Sequence, residues 1–258
     1  TFVGHEEDGR PIRDPDKVPD VGVEVETCPS WVGPKNWNPT AYSPDTGLLY
    51  SSIQHFCMTI GGAEIGYQPG VSFIGANYSI QFDPNAPDYT GELAAFDPAT
   101  GQRVWSNTYP FMRSSILTTG GNLVFAGGTP DRYFRAFDAE TGETLWRFRT
   151  NSAIYGVPTS YEVDGVQYVA VWSGWQPSSS RWGMVAQEFG LNEEVPQGGT
   201  LWVFALDDSQ AVTGAQEGPA GQQQEGESEE GDGDPTEPVQ PDVEQGAPAG
   251  QDDEPAGN

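Results

Sequence analysis

An eleven-residue segment that occurs twice constrains the fold of this chain more than any other feature. The copies span residues 95–105 and 136–146 and share the pattern Ala-Phe-Asp-x-x-Thr-Gly-x-x-x-Trp. The pattern predicts a strand, a tight turn in which Gly takes a positive φ, and a second strand that ends near Trp. The copies begin 41 residues apart, at positions 95 and 136, which is the length of one four-stranded propeller blade. The repeat therefore predicts a β-propeller.

A weaker copy of the pattern occupies residues 41–50, with Ser43 in place of the Asp and no closing Trp. Asp45, Asp97 and Asp138 all lie within these turn segments. Asp accepts hydrogen bonds from the backbone of tight turns, so we interpret the three residues as turn formers and not as catalytic carboxylates.

Alternating apolar residues and turn signals predict an all-β chain with antiparallel sheets. We expect strands at residues 37–42, 48–53, 91–96, 103–109, 116–119, 123–127, 133–138, 145–149, 159–163, 166–172 and 200–206. Residues 1–27 are interpreted as a loop between blades, residues 61–87 as an irregular insertion and residues 173–197 as a long loop. No helical periodicity exceeds two turns. At one blade per repeat, residues 1–206 provide about five blades at most.

The chain divides by composition into residues 1–206 and an acidic tail, residues 207–258. The tail contains 15 Asp and Glu residues, no Lys or Arg and no aromatic residue. It has too little apolar surface to offset its chain entropy, so we expect it to be disordered.

Residues 1–206 are themselves acidic, because the remaining 23 of the 38 acidic residues face 11 basic ones. An acidic protein does not neutralise phosphates, which argues against nucleic acid as a partner. A high-salt environment, a basic electron-acceptor protein and a plain solvated surface all remain open. No apolar run approaches the roughly 20 residues of a transmembrane helix.

Sequence segments around the repeat show a more specific resemblance. They include Lys-Asn-Trp-Asn-Pro at 35–39, Thr-Gly-Gly-Asn-Leu-Val-Phe at 119–125, Asp-Gly-Val-Gln-Tyr-Val-Ala-Val at 164–171 and Gly-Gly-Thr-Leu-Trp-Val-Phe at 198–204. With the repeat, which matches a tryptophan-docking motif, these segments resemble the quinoprotein alcohol dehydrogenases, the PQQ-dependent methanol and ethanol dehydrogenases. The resemblance covers residues 8–206 and implies a partial β-propeller, the C-terminal blades of an eight-bladed one.

The resemblance implies that the complete protein oxidises primary alcohols to aldehydes with PQQ and a Ca²⁺ or lanthanide ion. Electrons would pass to a cytochrome c-type acceptor. In the family, the catalytic Asp, the metal-binding carboxylate and a pair of adjacent cysteines belong to the N-terminal half. No matched segment here supplies them, so we expect no catalytic and no metal-ligating residue in this chain. We expect it to be inactive alone and to need missing N-terminal blades or a second chain.

The resemblance assigns cofactor contacts to a few residues of this chain. Asn36 falls on the family's Asn that approaches the quinone, and Trp37 accompanies it; the alternative for Asn36 is a turn-capping role. Arg113, followed by two serines, stands where the family has Trp-Gly-Gly. A guanidinium stacks on π faces and binds carboxylates through two parallel hydrogen bonds, and PQQ has three carboxylates. Pro177 and Ser178 lie in a segment where the family has a Gly-Gly pair.

Two further features remain open. The family resemblance implies a structural disulfide between Cys28 and Cys57, which an oxidising compartment such as the periplasm permits; the alternative is a pair of buried thiols. A tryptophan-rich loop contains Trp172, Trp175 and Trp182, which either line a substrate mouth or pack over the propeller end.

Two function hypotheses follow from these observations. The first is the C-terminal portion of a periplasmic or otherwise extracytoplasmic PQQ-dependent alcohol dehydrogenase. The second is a non-catalytic propeller scaffold or binding protein that retains the tryptophan-docking repeat. The family-specific segments outside the repeat favour the first hypothesis, and the altered Arg113 and Pro177 positions favour the second.

Overall fold

The computed structural model describes residues 2–67, 69–70, 74–174, 179–190, 195–196 and 198–206, without the side chains of residues 179–183. Within these residues the chain forms one short 3-10 helix, Pro15–Lys17, one α-helix, α1 (Ser179–Glu188), and a series of strands. The strands are β1 (Phe2–His5), β2 (Pro11–Arg13), β3 (Glu24–Thr27), β4 (Ala41–Ser43), β5 (Leu48–Gln54), β6 (Phe56–Gly62), β7 (Ala76–Phe82), β8 (Gly91–Phe96), β9 (Arg103–Tyr109), β10 (Leu117–Thr119), β11 (Leu123–Ala126), β12 (Tyr133–Asp138), β13 (Thr144–Arg149), β14 (Thr159–Val163), β15 (Val166–Ser173) and β16 (Thr200–Ala205).

Three antiparallel sheets form successive propeller blades. Blade 1 has the strand order β4-β5-β8-β9, blade 2 has β10-β11-β12-β13, and blade 3 has β14-β15-β16 within the described residues. The all-β, partial-propeller prediction is therefore confirmed. The described chain holds these three blades rather than five, because much of its length forms other sheets.

The two close copies of the repeat occupy the same position in their blades. Each forms the turn between the third and fourth strands, β8–β9 and β12–β13, with φ of +72° at Gly101 and +75° at Gly142. Asp97 and Asp138 accept hydrogen bonds from backbone N–H groups in these turns, as expected for turn formers. The weaker copy at 41–50 instead joins the first two strands of blade 1, so it does not mark a further blade.

The repeat tryptophans dock between blades. Trp105 of blade 1 donates from Nε1 to the carbonyl of Ala139 in blade 2, at 3.0 Å. Its ring lies so close to Gly142 that a Cβ there would meet a ring carbon at 2.5 Å. Trp146 of blade 2 makes an edge-to-face contact with Phe204 of blade 3, with ring centroids 5.1 Å apart.

The apolar core lies between blades. One cluster of buried residues connects blades 1 and 2 and includes Tyr50, Leu93, Val124 and Phe137. A second connects blades 2 and 3 and includes Phe134, Ile154 and Val171. Blade-to-blade packing thus supplies the burial that a single four-stranded sheet lacks.

Three segments expected to lack regular structure contain it. Residues 1–27 carry a β1–β2 hairpin, a 3-10 helix and strand β3. Part of the expected irregular insertion is also strand, because β7 pairs with β6, and β6 with β3, in a separate sheet. Gly62 in this sheet lies against the backbone of Asp20, where a Cβ would meet a carbonyl carbon at 2.6 Å. Gly62 therefore permits close approach of the two backbones.

The expected long loop at 173–197 contains helix α1. Val185 of the helix is fully buried in a cluster with Phe56, Phe111 and Ala153. Tertiary packing of this kind stabilises a short helix that sequence periodicity does not indicate. No helix among the described residues is long and apolar enough to cross a membrane. The tail at 207–258, predicted to be disordered, lies outside the described residues.

Candidate functional site

The loops that enter the three blades place residues at one end of the propeller. Trp37, Arg113 and Tyr155 each lie four positions before the first residue of a blade's innermost strand, β4, β10 or β14. Innermost strands of successive blades surround the propeller axis, so equivalent positions on them are neighbours. The three side chains therefore belong to one site at the axis.

Arg113 is the centre of this site. Its Cζ lies 5.3 Å from the ring centroid of Trp37 and 5.8 Å from that of Tyr155, within the range of cation–π contacts. Its Nε donates to Asn38 Oδ1 at 3.3 Å. The backbone is fixed by a hydrogen bond from Arg113 N to the carbonyl of Gly128.

Asn36 uses its amide within its own turn. Nδ2 donates to the carbonyl of Val32 at 2.9 Å, and Oδ1 accepts from the backbone N–H of Trp37 at 2.8 Å. These two contacts of Asn36 agree with the turn-capping alternative. The consequence is that Asn36 holds the backbone of Trp37, whose side chain is 63% exposed.

Ser114 fills the place of the first glycine in the family's Trp-Gly-Gly. Its Oγ accepts from the N–H of Gly127 at 3.0 Å and donates to the carbonyl of Ser115 at 2.8 Å. Its backbone N–H donates to Ser52 Oγ. These bonds tie the Arg113 loop to both blade 1 and blade 2, so the loop is anchored without glycine.

The structure brings Trp37 and Arg113 together, with Asn36 in the turn beside them. Pro177 and Ser178 lie outside the described residues, as do Trp175 and the side chain of Trp182. Trp172 is at the end of β15 and is 55% exposed.

Tyr155 was not predicted as a site residue. The signal that identifies it is positional: it has the same offset from its innermost strand as Trp37 and Arg113. That offset can be counted only when the strand starts are known.

The chemistry of these groups fits a flat anion. Guanidinium groups bind carboxylates through parallel hydrogen bonds, and exposed aromatic rings contact planar π systems. Among the described residues Arg113 forms no salt bridge, so its charge is not neutralised by a carboxylate of this part of the chain. PQQ, a planar tricarboxylate, matches this donor set.

A buried carboxylate in blade 1 was also missed. Glu92 Oε2 lies 2.7 Å from His55 Nε2, and Oε1 accepts from Arg103 Nη1 at 2.6 Å. Burial raises the pKa of Glu92, but the hydrogen bond from His55 and the charge of Arg103 outweigh burial, so the pKa lies below its ordinary value. The group ties β8 to β9 and to the residue that precedes β6.

The predicted disulfide is present. Cys28 and Cys57 are bonded, with Cα atoms 4.3 Å apart, and they join the end of β3 to β6. Among the described residues, the two sulfurs and Asp83 form the one group of three potential metal ligands. Disulfide sulfurs are not thiolates, so this group does not have the chemistry of a zinc site.

Comparison with known proteins supports the family resemblance. The family model described as "Glucose/ethanol/alcohol dehydrogenase, beta-propeller domain" matches residues 108–169, from the end of blade 1 into blade 3. The quinoprotein alcohol dehydrogenase PedH of Pseudomonas putida is 41% identical over 79% of this chain and 35% of its own length. The 1-butanol dehydrogenase (quinone) of Thauera butanivorans is 38% identical over 78% of this chain and 31% of its own length.

Solved structures show the same fold. A europium-containing methanol dehydrogenase superposes with a TM-score of 0.69 at 35% identity, over 78% of this chain and 38% of that one. The quinohemoprotein alcohol dehydrogenase ADHIIG of Pseudomonas putida HK5 gives a TM-score of 0.67 at 27% identity, over 85% and 33%. The chain spans about a third of the length of these relatives, and it belongs to the quinoprotein alcohol dehydrogenases.

Proposed function

We propose that this chain supplies the C-terminal blades of a PQQ-dependent alcohol dehydrogenase and forms one wall of its cofactor site. The observation that carries the proposal is that Arg113 lies within cation–π distance of both Trp37 and Tyr155, and that the three residues have equivalent positions in three blades. Family membership supports the proposed class of reaction, oxidation of primary alcohols to aldehydes.

The residues of this chain would bind and orient the cofactor. The exposed Trp37 ring offers an apolar face, and Arg113 attracts one of the three PQQ carboxylates. Asn36 holds the Trp37 backbone through its turn. Pro177 and Ser178 belong to the same proposed contact set. When bound, PQQ with a Ca²⁺ or lanthanide ion would supply the hydride acceptor for alcohol oxidation.

The proposed setting is periplasmic or otherwise extracytoplasmic, with a cytochrome c-type electron acceptor. The Cys28–Cys57 disulfide supports an oxidising compartment. The acidic composition of residues 1–206 is compatible with a basic acceptor.

Further blades, from the rest of a longer protein or from a second chain, would complete the ring. Large apolar side chains on blade 3 support this part of the proposal, because they are exposed in the described structure: Tyr161, Trp172, Leu201 and Val203 are each more than 40% exposed. Exposed apolar residues gathered on one sheet indicate a surface that a partner covers.

A non-catalytic propeller scaffold or binding protein is the second candidate function. The hydrogen bonds that Asn36 makes within its turn favour it, because they use the amide assigned to the cofactor. On this account the Trp37–Arg113–Tyr155 site packs loops together and holds no cofactor.

A chimera separates the two candidates. Residues 8–206 replace the matching third of Pseudomonas putida PedH, and the purified protein is loaded with PQQ and assayed for alcohol-dependent dye reduction. We expect activity that requires PQQ. A folded chimera without PQQ binding and without dye reduction would support the scaffold instead.

Arg113 variants of the chimera test the proposed wall. Arg113→Ala should weaken PQQ binding by about tenfold or more, as for loss of a charge-assisted hydrogen bond. Arg113→Trp restores the family residue and should preserve or improve binding. Arg10→Ala is the matched control, since Arg10 pairs with Asp8 at an exposed position. Equal PQQ affinity in all variants would remove Arg113 from the site.

A further inference from the structure

Asn38 is buried beside Arg113, with 6% of its surface exposed. Its Oδ1 accepts the hydrogen bond from Arg113 Nε, so the oxygen side of the amide faces the guanidinium. Its Nδ2 has no hydrogen-bond partner among the described residues. Buried amide groups in native proteins are almost always paired, so an unpaired one at a binding site indicates an acceptor supplied by a ligand.

The neighbourhood of Asn38 is polar and well fixed. The backbone N–H of Ile116 donates to the carbonyl of Pro39 at 3.1 Å and holds the Arg113 loop against the Asn38 loop. Besides Asn38 Nδ2, a second buried polar atom without a partner is Oγ of Ser115, a residue that is 2% exposed. Two unpaired buried polar groups and an unpaired guanidinium charge therefore occur within two adjoining loops of the described chain.

We propose that Asn38 and Arg113 together bind one carboxylate of a planar aromatic acid at this end of the propeller. Arg113 supplies the charge and two terminal nitrogens, and Asn38 Nδ2 donates a further hydrogen bond. The ring of the acid would lie against Trp37. The proposal rests on the proposed function, in which the acid is PQQ, and adds to it Asn38, a residue that the family resemblance does not assign to the cofactor.

A carboxylate on an aromatic ring fits better than a spherical or neutral ligand. The guanidinium lies within 6 Å of two aromatic centroids, so a ligand that reaches it must be flat near its charge. A neutral ligand would leave the positive charge unpaired in a partly buried place, which is unfavourable.

The test measures binding and does not depend on turnover. The 258-residue chain is titrated calorimetrically with PQQ, with quinoline-2-carboxylate and with the methyl ester of that acid. We expect both acids to bind with dissociation constants of about 1 mM or below, and the ester at least about tenfold more weakly. The side-chain amide resonance of Asn38 should shift on titration with either acid, and that of Asn77, exposed on β7, should not.

Asn38→Ala should raise the dissociation constant of both acids by about tenfold or more, while the melting temperature of the free chain stays the same or rises. The melting temperature should not fall, because removal of the unpaired buried Nδ2 offsets loss of the long hydrogen bond from Arg113 Nε to Oδ1. Asn77→Ala is the control and should change neither quantity. If Asn38→Ala does not fold, Asn38→Asp retains the acceptor for Arg113 and should abolish binding by placing a carboxylate at the site.

Equal binding of acid and ester, unchanged affinity in the folded Asn38 variant, or no binding up to about 10 mM would overturn the proposal. The proposed function fails by a different result, namely a chimera without dye reduction. An active chimera in which Asn38→Ala binds PQQ normally would refute the role of Asn38 alone.

Discussion

Trp105 and Trp146 show how one residue type at one place in a blade controls the contact between blades. Both are partly buried, and each ring contacts the following blade, at Gly142 for Trp105 and at Phe204 for Trp146. Large aromatic rings bury much apolar surface, so each contact is mainly apolar. The hydrogen bond from Trp105 Nε1 to the Ala139 carbonyl fixes the orientation of the Trp105 ring.

Replacement of either tryptophan by Ala should therefore lower the free energy of unfolding by several kcal/mol, with an upper limit of about 3–5 kcal/mol, the range for a fully buried aromatic. The measurement is chemical denaturation at neutral pH. Trp31→Ala serves as the control, since Trp31 is 59% exposed and should cost little. A loss below about 1 kcal/mol at Trp105 or Trp146 would mean that the repeat does not act in docking.

Glu92 links stability to pH at the residue scale. Its folded pKa is lowered, so the ionised carboxylate stabilises the fold above its ordinary pKa, and that contribution is lost as pH falls through the lower, folded pKa. We expect Glu92→Gln to be less stable than the natural chain at pH 7, and the difference to narrow below pH 4.5, the ordinary value.

Denaturant titrations at several pH values measure this difference. Glu143→Gln is the control, because Glu143 is exposed and should show no comparable pH-dependent change. A Glu92→Gln deficit that is the same at pH 7 and at pH 3 would show that the His55–Glu92–Arg103 contacts do not depend on the carboxylate charge.

At the scale of elements, the sequence predicted the blade strands that the repeat marks. It did not predict the elements outside the repeat, namely the sheet β3-β6-β7 and helix α1. The strands of blades 1 and 2 were located because their turns recur at a fixed spacing. The sheet β3-β6-β7 was missed because its segments contain no copy of the repeat to mark their turns. Helix α1 was missed for a different reason, because its stability depends on tertiary burial of Val185 and not on a periodic pattern.

The sequence likewise predicted only part of the candidate site. Trp37 and Arg113 were identified through segments that resemble the family, and their mutual contact could not be read from positions 76 residues apart, at 37 and 113. Tyr155 lies in no motif, and Asn38 received no role although it lies in the matched segment 35–39. Only the packing of the loops shows that Tyr155 flanks Arg113 and that the Asn38 amide is unpaired.

The Cys28–Cys57 disulfide fastens β3 to the rest of its sheet. We expect no labelling of the native chain by a thiol reagent until a reductant is added, and then labelling of two thiols. Reduction should lower the melting temperature, because the bond restricts the unfolded chain between residues 28 and 57. The double variant Cys28→Ser/Cys57→Ser is the reference for complete loss of the bond. Labelling of both cysteines without reductant would contradict the structure.

At the scale of the whole molecule, a propeller works as a ring around its axis. Three inter-blade loops of this chain place Trp37, Arg113 and Tyr155 at the axis, and the remaining walls of the proposed site would come from other blades. A ligand held on one wall alone stays exposed to water, where charge interactions are weak. This geometry explains why we propose a contribution to a cofactor site and not a complete one.

The affinity for PQQ, measured by equilibrium dialysis on the isolated 258-residue chain and on the PedH chimera side by side, tests this account most directly. We predict weak binding and no alcohol-dependent dye reduction for the isolated chain, with dissociation constants of about 1 mM, against a chimera that binds at least a thousandfold more tightly, a difference of about 4 kcal/mol. Tight PQQ binding with alcohol-dependent dye reduction by the isolated chain would contradict the account, and so would a folded chimera that binds PQQ no better than the isolated chain.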